Sequence, residues 1–144
     1  MNTIAPSSPA APGRVLRGGL WVAQFVLAAA YLASGYAKVA TPIDKLAAMM
    51  PWTGDFAEAF VRAIGAIDLA AGLGILLPSL TRIAPRLTVL AALGASVLQV
   101  CAMTLHASRG EFNVLPMNLV LLTLSLFVLW GRSRRAPIAP RGAR

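Results

Sequence analysis

Residues 61–78 read VRAIGAIDLAAGLGILLP, an apolar stretch with one acidic residue, Asp68, near its middle. A carboxylate at the depth of lipid tails is costly to insert, so such residues usually face a protein interior or a water-filled cavity. Gly65 and Gly72 lie on either side of Asp68 at positions i−3 and i+4, and small residues allow a neighbouring helix to approach closely. The stretch therefore predicts a transmembrane helix that holds a functional carboxylate inside a helical bundle.

Composition places the rest of the chain in a membrane as well. Of the 144 residues, 58% are hydrophobic and 12% are charged, which is more apolar surface than a soluble domain of this size buries. Three further windows lack Asp, Glu, Lys and Arg, and each is long enough to cross a hydrocarbon core of roughly 30 Å; they are Gly18 to Ala37, Leu87 to Ser108 and Phe112 to Gly131. Because the later connections are short, the sequence predicts an all-α membrane protein, a four-transmembrane-helix antiparallel bundle.

The basic residues are distributed unevenly between the connections. With both termini in the cytoplasm, that side holds nine of the 13 basic residues, namely Arg14, Arg17, Arg82, Arg86, Arg132, Arg134, Arg135, Arg141 and Arg144. All 5 acidic residues then fall on the other side or within the membrane. This is the positive-inside pattern, and it predicts cytoplasmic termini. It also explains the net charge of +8 without a nucleic-acid partner.

The chain is expected to contain one membrane domain between two tails. Residues 1–13 are rich in Pro, Ala and Ser and predict a disordered arm, residues 14–131 form the transmembrane domain, and residues 132–144 form a basic cytoplasmic tail. Arg14 and Arg17 before an apolar run also resemble a signal peptide. That run is longer than the roughly 7 to 15 residues of a signal-peptide core, which favours a retained helix.

Proline and tryptophan mark the connections. Thr41-Pro42 is expected to end the first span and Pro78 the second. Between these spans, MMPWTGD at residues 49–55 is typical of a short interfacial helix with Trp52 at the headgroup boundary. Cys101 has no cysteine partner, and we expect it to be a small buried hydrophobic residue of the third span.

Polar side chains recur at helical spacing within the other spans. They are Gln24, Tyr31 and Lys38 on one stripe of the first span, Gln99 and His106 on one face of the third, and Asn118 in the fourth. Asp68 has no basic residue three or four positions away on its own helix, so we expect a partner from another helix or a bound proton. The candidate partners are Lys38, Tyr31, Gln99 and Asn118.

Two charged residues have simpler interpretations. Lys38 at a span end is typical of an interfacial anchor, since lysines there lift the amine toward water. Arg62 lies four residues after Glu58, a spacing that favours a local ion pair.

Several segments resemble DoxX and DoxX-like membrane proteins. Tyr31–Lys38, YLASGYAK, resembles the G-x-x-K ending of that family's first helix, and Met50-Pro51-Trp52 resembles its P-W segment. Residues 61–78 resemble the second-helix motif R-x-x-G-x-x-E-L-x-x-G-x-G-x-x-x-P, with Asp68 in place of the usual Glu. Residues 106–111 and Asn118 resemble the third connection and fourth helix. The resemblance implies a four-helix protein of the bacterial cytoplasmic (inner) membrane, and some relatives are associated with quinone-linked sulfur oxidation or redox-stress complexes.

These features favour an accessory role over an autonomous enzyme. The sequence contains no recognised metal-ligand spacing, phosphate loop, dinucleotide fingerprint or nucleophile elbow. The first hypothesis is a membrane subunit whose polar pocket binds a quinone or another hydrophobic ligand, or that docks a redox protein; the pocket residues are Asp68, Lys38, Tyr31, Arg62, Gln99, His106, Asn118 and Trp52.

Two alternatives remain open. One is a small transporter or proton-coupled exporter in which Asp68 cycles a proton, and four helices would then require a homo-oligomer. The other is a purely structural role, in which Asp68 and Lys38 form a buried pair that specifies the bundle.

Overall fold

The structure, a computed structural model, describes residues 13–142, which consist of helices and the loops between and after them, without a β-strand. Five α-helices follow one another: α1 (Arg14–Ala40), α2 (Ile43–Met49), α3 (Glu58–Thr81), α4 (Arg86–Ser108) and α5 (Leu115–Trp130). Short 3-10 turns, Pro51–Gly54 and Phe112–Val114, precede α3 and α5, and a π-helical turn, Gly131–Arg135, follows α5. The arm predicted for residues 1–13 lies outside the described residues, apart from Gly13.

Four helical segments are long and apolar enough to cross a membrane, which confirms the predicted number of spans. They are α1, α3, α4 and the continuous segment Phe112–Arg135 that contains α5. Large apolar side chains such as Leu90 and Val100 point away from the bundle and are more than half exposed. Such a surface is typical of helices whose outer faces contact lipid.

The long helices form a closed ring in which α1 packs on α3, α3 on α4, α4 on α5, and α5 on α1. Near the start of α1, Gln24 Nε2 donates to the Ile75 carbonyl in the second half of α3, at 2.7 Å, so these helices run antiparallel. At the other end, Arg109 Nη2 lies 2.6 Å from Asp55 Oδ2. We call the two ends the basic end, containing the start of α1 with residues 82–86 and 131–142, and the loop end, containing residues 41–57 and 109–114.

In the connection between the first two spans, residues 49–55, predicted to form a short interfacial helix, contain the 3-10 turn Pro51–Gly54, and α2, which was not predicted, precedes it. Leu46 and Trp52 from this connection are buried against Val61 of α3. Thr53 adds a hydrogen bond from its hydroxyl to the Met50 carbonyl, at 2.8 Å. The connection therefore covers the loop end of the bundle.

Glycines bring the backbones of α1 and α3 into contact. A Cβ atom added to Gly35 would lie 2.7 Å from the Gly65 carbonyl oxygen, and one added to Gly72 would lie 3.1 Å from the Ala28 carbonyl oxygen. The close approach predicted for Gly65 and Gly72 is confirmed, and Gly35 is its counterpart on α1. Small residues allow this approach because no side chain separates the helices.

The prediction that Pro78 ends the second span is wrong, since α3 continues to Thr81. Proline removes one backbone N–H and crowds the preceding turn, but only three residues follow it before the helix ends at Arg82, which has a left-handed backbone with φ of 59°. The Gln24 amide supplies a hydrogen bond to Ile75 O in the turn beside the proline. A neighbouring helix thus supports the turn that Pro78 weakens.

Cys101 is exposed, so the expectation of a buried cysteine is also wrong. The buried face of α4 includes Ala95 and Gln99. A residue two positions after Gln99 lies about 200° around a helix from it. Cys101 therefore lies on the outer face, where the apolar surroundings are lipid.

Replacing Gly35 by Ala should destabilise the bundle. The added methyl would meet the Gly65 carbonyl, and overpacking of this kind costs about 1–3 kcal/mol. Thermal unfolding of the purified protein in detergent would measure the loss. Gly94→Ala is the matched control because nothing lies within 4 Å of its added Cβ; equal melting temperatures for the two variants would contradict the close packing of α1 and α3.

Candidate functional site

Asp68 is buried and paired with a residue of another helix. The residue is 4% exposed, and its Oδ2 atom lies 2.8 Å from Lys38 Nζ of α1. The Ser34 hydroxyl donates to the same oxygen at 3.0 Å, and Lys38 Nζ also donates to Ser34 Oγ. Asp68, Lys38 and Ser34 therefore form a closed triangle. Of the four candidate partners that the sequence left open, Lys38 is the one that pairs with Asp68.

Lys38 points inward, so the prediction of a snorkelling anchor is wrong. The residue is 7% exposed, and its Cβ lies where a side chain of Gly65 would otherwise be. Asp68 is three residues further along α3, so the lysine stem passes over Gly65 and carries the amine toward the carboxylate. A short ion pair with a second hydrogen bond replaces the headgroup water that the amine would otherwise reach.

Arg62 holds the end of α1 and does not contact the acid directly. Its Nη2 lies 2.8 Å from Glu58 Oε1, which confirms the predicted local ion pair. Its Nη1 donates to the Thr41 carbonyl at 2.7 Å and to the Lys38 carbonyl. Carbonyls at the end of a helix lack helical partners, and a cation there is favourable. Arg62 thus fixes the backbone from which Lys38 projects.

Tyr31 and Gln99 join α1 to α4. The Tyr31 hydroxyl donates to the Ala95 carbonyl at 3.3 Å and accepts from Gln99 Nε2 at 3.0 Å. Both side chains are buried. Since Tyr31, Ser34 and Lys38 lie on one face of α1, this hydrogen-bond network continues the polar stripe that pairs with Asp68.

Two buried amide atoms lack hydrogen-bond partners within residues 13–142. They are Gln99 Oε1, an acceptor, and Asn118 Nδ2, a donor. Buried polar atoms in folded proteins are nearly always paired with protein or water, and each exception requires an explanation. Both atoms belong to residues that the sequence assigned to the site.

Trp52 covers the loop end of the Lys38 pair. The residue is 8% exposed, so its ring packs inside the protein, and the ring centroid is 6.0 Å from Lys38 Nζ. That distance is at the outer limit of a cation–π contact. The ring shields the amine from the loop end.

His106 belongs to a separate cluster of charges at the loop end. Its Nδ1 lies 2.6 Å from Glu111 Oε2, and Arg109 Nε lies 2.8 Å from Glu111 Oε1. Arg109 also pairs with Asp55, which joins the connections on either side of the bundle. The hydrogen bonds from His106 and Arg109 lower the pKa of the Glu111 carboxyl, and the contacts with Glu111 and Asp55 raise the pKa of the Arg109 guanidinium.

A second buried polar cluster, at the basic end, was missed by the sequence analysis. Gln24 donates to Ser79 Oγ at 3.0 Å, Ser79 Oγ lies 2.8 Å from Thr88 Oγ1, and Arg132 Nε donates to Gln24 Oε1 at 2.7 Å. Gln24 was visible as a member of the Tyr31 stripe. Arg132 was assigned to a solvated tail, and no periodic pattern marked it as buried.

Two surface clefts of the described chain lie away from Asp68. One, of about 520 Å³, is at the basic end, and the other, of about 340 Å³, is an apolar groove between α3 and α4. Asp68 and Lys38 line neither cleft. Since Asp68 is 4% exposed and Lys38 is 7% exposed, the surrounding side chains cover the polar site.

Removing one member of the Asp68–Lys38 pair should destabilise the protein more than removing both. Asp68→Leu and Lys38→Met each leave one buried charge without a partner, at a cost of about 3–5 kcal/mol, whereas the double variant leaves none. Thermal unfolding of both single variants and the double variant in detergent measures the coupling.

Glu58→Gln is the control for these three variants. The Glu58 side chain is 57% exposed, and an exposed ion pair contributes about 0–1 kcal/mol to stability, so this variant should change the melting temperature little. Additive effects of Asp68→Leu and Lys38→Met would show that the two charges do not interact.

The loop end should lose stability at acidic pH. The folded pKa of Glu111 is lowered, so its contribution is present above the unfolded value, near 4.5, and is lost as pH falls through the folded value. Melting temperatures from pH 7 down to pH 3 would follow this loss, and Glu111→Gln should reduce the dependence on pH. Asp44→Asn is the control for removing an exposed acid; an unchanged pH profile in Glu111→Gln would contradict the prediction.

Comparison with known proteins identifies the family. The sequence pattern of the DoxX-like family matches residues 22–128, a range that contains Lys38, Asp68, Gln99 and Asn118 and reaches from α1 into α5. No match is found among curated proteins or among solved structures. With four helices able to span a bilayer and most of its length matched, the chain belongs to the DoxX-like family of multi-pass membrane proteins.

Proposed function

We propose that this protein is an accessory subunit of a membrane redox system that binds a quinone or a similar hydrophobic carbonyl compound beside the Asp68–Lys38 pair. The observation that carries the proposal is the set of unused hydrogen-bonding atoms in the loop-end half of the bundle, Gln99 Oε1 and Asn118 Nδ2. Ligand sites are typically apolar with a few polar groups that fix the orientation of the ligand.

The available donors and acceptors suit both redox forms of a quinone. An ammonium has three N–H donors, and within the described chain Lys38 uses two of them, toward Ser34 and Asp68. The remaining Lys38 donor and Asn118 Nδ2 can bind quinone carbonyl oxygens. Gln99 Oε1 can accept from a quinol hydroxyl.

Because surrounding side chains cover the site, we infer that a ligand enters it from the lipid. Asp68 and Lys38 are shielded from the loop end by Trp52, and the outward surfaces of the spans are apolar. A hydrophobic ligand dissolved in the bilayer would enter between helices after a side chain moves. Small rearrangements of this kind are common when ligands bind.

The proposed orientation places the basic end in the cytoplasm of a bacterium and the protein in its cytoplasmic membrane. The basic end holds Arg14, Arg17, Arg82, Arg86 and the arginines after α5, and basic residues are enriched on the cytoplasmic side. The loop end would then face outward. Its exposed charges, including Asp55, offer a surface on which a redox partner or a second copy could dock.

A structural role for Asp68 is the second candidate. Its carboxylate already has two partners, Lys38 and Ser34, so the pair can specify the contact of α1 with α3 without any ligand. A proton-coupled export role would in addition require Asp68 to release Lys38 and exchange a proton during transport.

Quinone binding can be tested by quenching of Trp52 fluorescence. Trp21→Phe and Trp130→Phe remove the other two tryptophans, and a short-chain quinone is titrated into the protein in detergent. We expect saturable quenching that Gln99→Leu weakens by about tenfold, because losing a hydrogen bond costs about 1–1.5 kcal/mol.

Thr104→Val is the matched control on α4, since Thr104 is exposed and bonded only to its own helix. Melting temperatures of all variants establish that they fold. Non-saturable quenching, or equal affinity in Gln99→Leu and Thr104→Val, would leave the structural role as the better explanation.

A further inference from the structure

The cleft at the basic end contains an arginine whose charge is not neutralised by an acid. Arg132 is 6% exposed. The cleft has a volume of about 520 Å³, and its polar lining residues are Ser79, Arg86 and Arg132. Residues 137–140 of the chain form its outer wall.

Both hydrogen bonds of the Arg132 guanidinium are made to neutral groups. Nε donates to Gln24 Oε1 at 2.7 Å, Nη1 donates to the Ala136 carbonyl at a long 3.3 Å, and the group lies 4.9 Å from the Trp21 ring centroid. Nη2 has no partner within residues 13–142. A buried charge without a counter-charge is unfavourable.

The acidic residues of the chain lie elsewhere. Asp55, Glu58 and Glu111 pair with cations of the loop end, and Asp68 pairs with Lys38. Asp44 is in α2, also at the loop end. Any counter-charge for Arg132 would therefore come from an anion other than an Asp or Glu side chain of this protein.

The surrounding residues hold Arg132 in place for such an anion. Gln24 is fixed by its bonds to Ile75 O and Ser79 Oγ, and Ser79 is fixed by Thr88. Arg86 is the first residue of α4, so the cleft also lies at the positive end of a helix dipole. The site thus combines two arginines with a helix N-terminus.

We propose that this cleft binds the phosphate group of an anionic ligand through Arg132 and Arg86. Arginine is suited to phosphate because its planar fork of N–H groups can make two parallel hydrogen bonds. Nη2 has almost no accessible surface in the empty cleft. Binding therefore involves a turn of the guanidinium that gives up the long bond to Ala136.

The phosphate can come from a phospholipid or from a free anion, and the surroundings favour the lipid. The apolar groove between α3 and α4 begins at Pro78 and Leu87, each next in sequence to a residue of the cleft, and continues to Ile67 and Leu98. An acyl chain lying in this groove would bring its headgroup to the level of Arg86. This site is at the basic end, whereas Asp68 lies near the middle of α3, and it does not depend on the proposed quinone site.

The test uses the 144-residue chain, delipidated in a neutral detergent. Native mass spectrometry and thermal shift are recorded with a short-chain phosphatidylglycerol and, separately, with inorganic phosphate. We expect bound phosphatidylglycerol and a raised melting temperature, and an affinity at least about tenfold weaker in Arg86→Gln and Arg132→Lys, since hydrogen bonds to charged groups contribute about 1.5–3 kcal/mol.

Arg134→Gln is the matched control, because Arg134 is exposed at the same end and does not line the cleft. If Arg132→Lys fails to fold, the affinity of Arg86→Gln alone tests the proposal. Arg86 is exposed and lies outside the buried network, so its replacement should leave the fold intact. Binding of inorganic phosphate with the same variant dependence, without preference for the lipid, would support a free-anion site. Absence of binding by both ligands, or equal loss in Arg86→Gln and Arg134→Gln, would overturn the proposal.

Discussion

The ion pair between Asp68 and Lys38 is the interaction on which the arrangement of this bundle depends. A lone carboxylate at this depth would be strongly unfavourable, and a lone ammonium beside it equally so. The 2.8 Å contact between them requires the backbones of α1 and α3 to be close, and Gly35 and Gly65 provide that closeness. The glycines and the charged pair therefore depend on each other: the ion pair forms only where the two backbones are close.

The same dependence explains why an aspartate can occupy this position. Asp68 is one methylene shorter than glutamate, but Lys38 has a long stem that passes over Gly65 and is held by Ser34. Arg62 fixes the carbonyls at the end of α1. With the lysine positioned in this way, the shorter acid is still reached directly.

Polar groups are concentrated in two regions of the bundle interior. In the half nearer the loop end, the pair and the Tyr31–Gln99 network link α1, α3 and α4. At the basic end, Gln24 and Arg132 link α1, α3 and the segment after α5. An apolar layer that includes Leu27 and Ile75 belongs to the core. Each region has unpaired buried atoms, which is why we assign a ligand to each.

Much of the fold and part of the site followed from the sequence because the relevant signals are local. The apolar windows specify four spans, and the seven-residue spacing of Tyr31 and Lys38 puts them on one face. A buried Asp68–Lys38 pair was one of the open alternatives, but the sequence did not decide between it and an outward Lys38, because the choice depends on the position of Asp68 on another helix. The burial of Arg132 was missed for the same reason, since its partner Gln24 is distant in sequence.

The position of Lys38 is also where a general rule for membrane helices gave the wrong result. A lysine at a helix end usually extends toward water, and within α1 the Ser34 hydroxyl accepts a hydrogen bond from the inward amine. A second opposing interaction comes from α3, where the missing side chain of Gly65 leaves space and Asp68 supplies charge. The direction of such a side chain is decided by contacts between helices, and helical periodicity alone does not reveal those contacts.

The most direct test of the central pair is a solid-state NMR distance between lysine ¹⁵Nζ and aspartate ¹³Cγ in lipid bilayers. The chain contains few lysines and aspartates, namely Lys38, Lys45, Asp44, Asp55 and Asp68, so the contact can be assigned. We expect one strong lysine–aspartate coupling at neutral pH that disappears in Asp68→Asn. Absence of a short coupling, or its persistence in Asp68→Asn, would contradict the buried pair and with it the proposed basis of the α1–α3 contact.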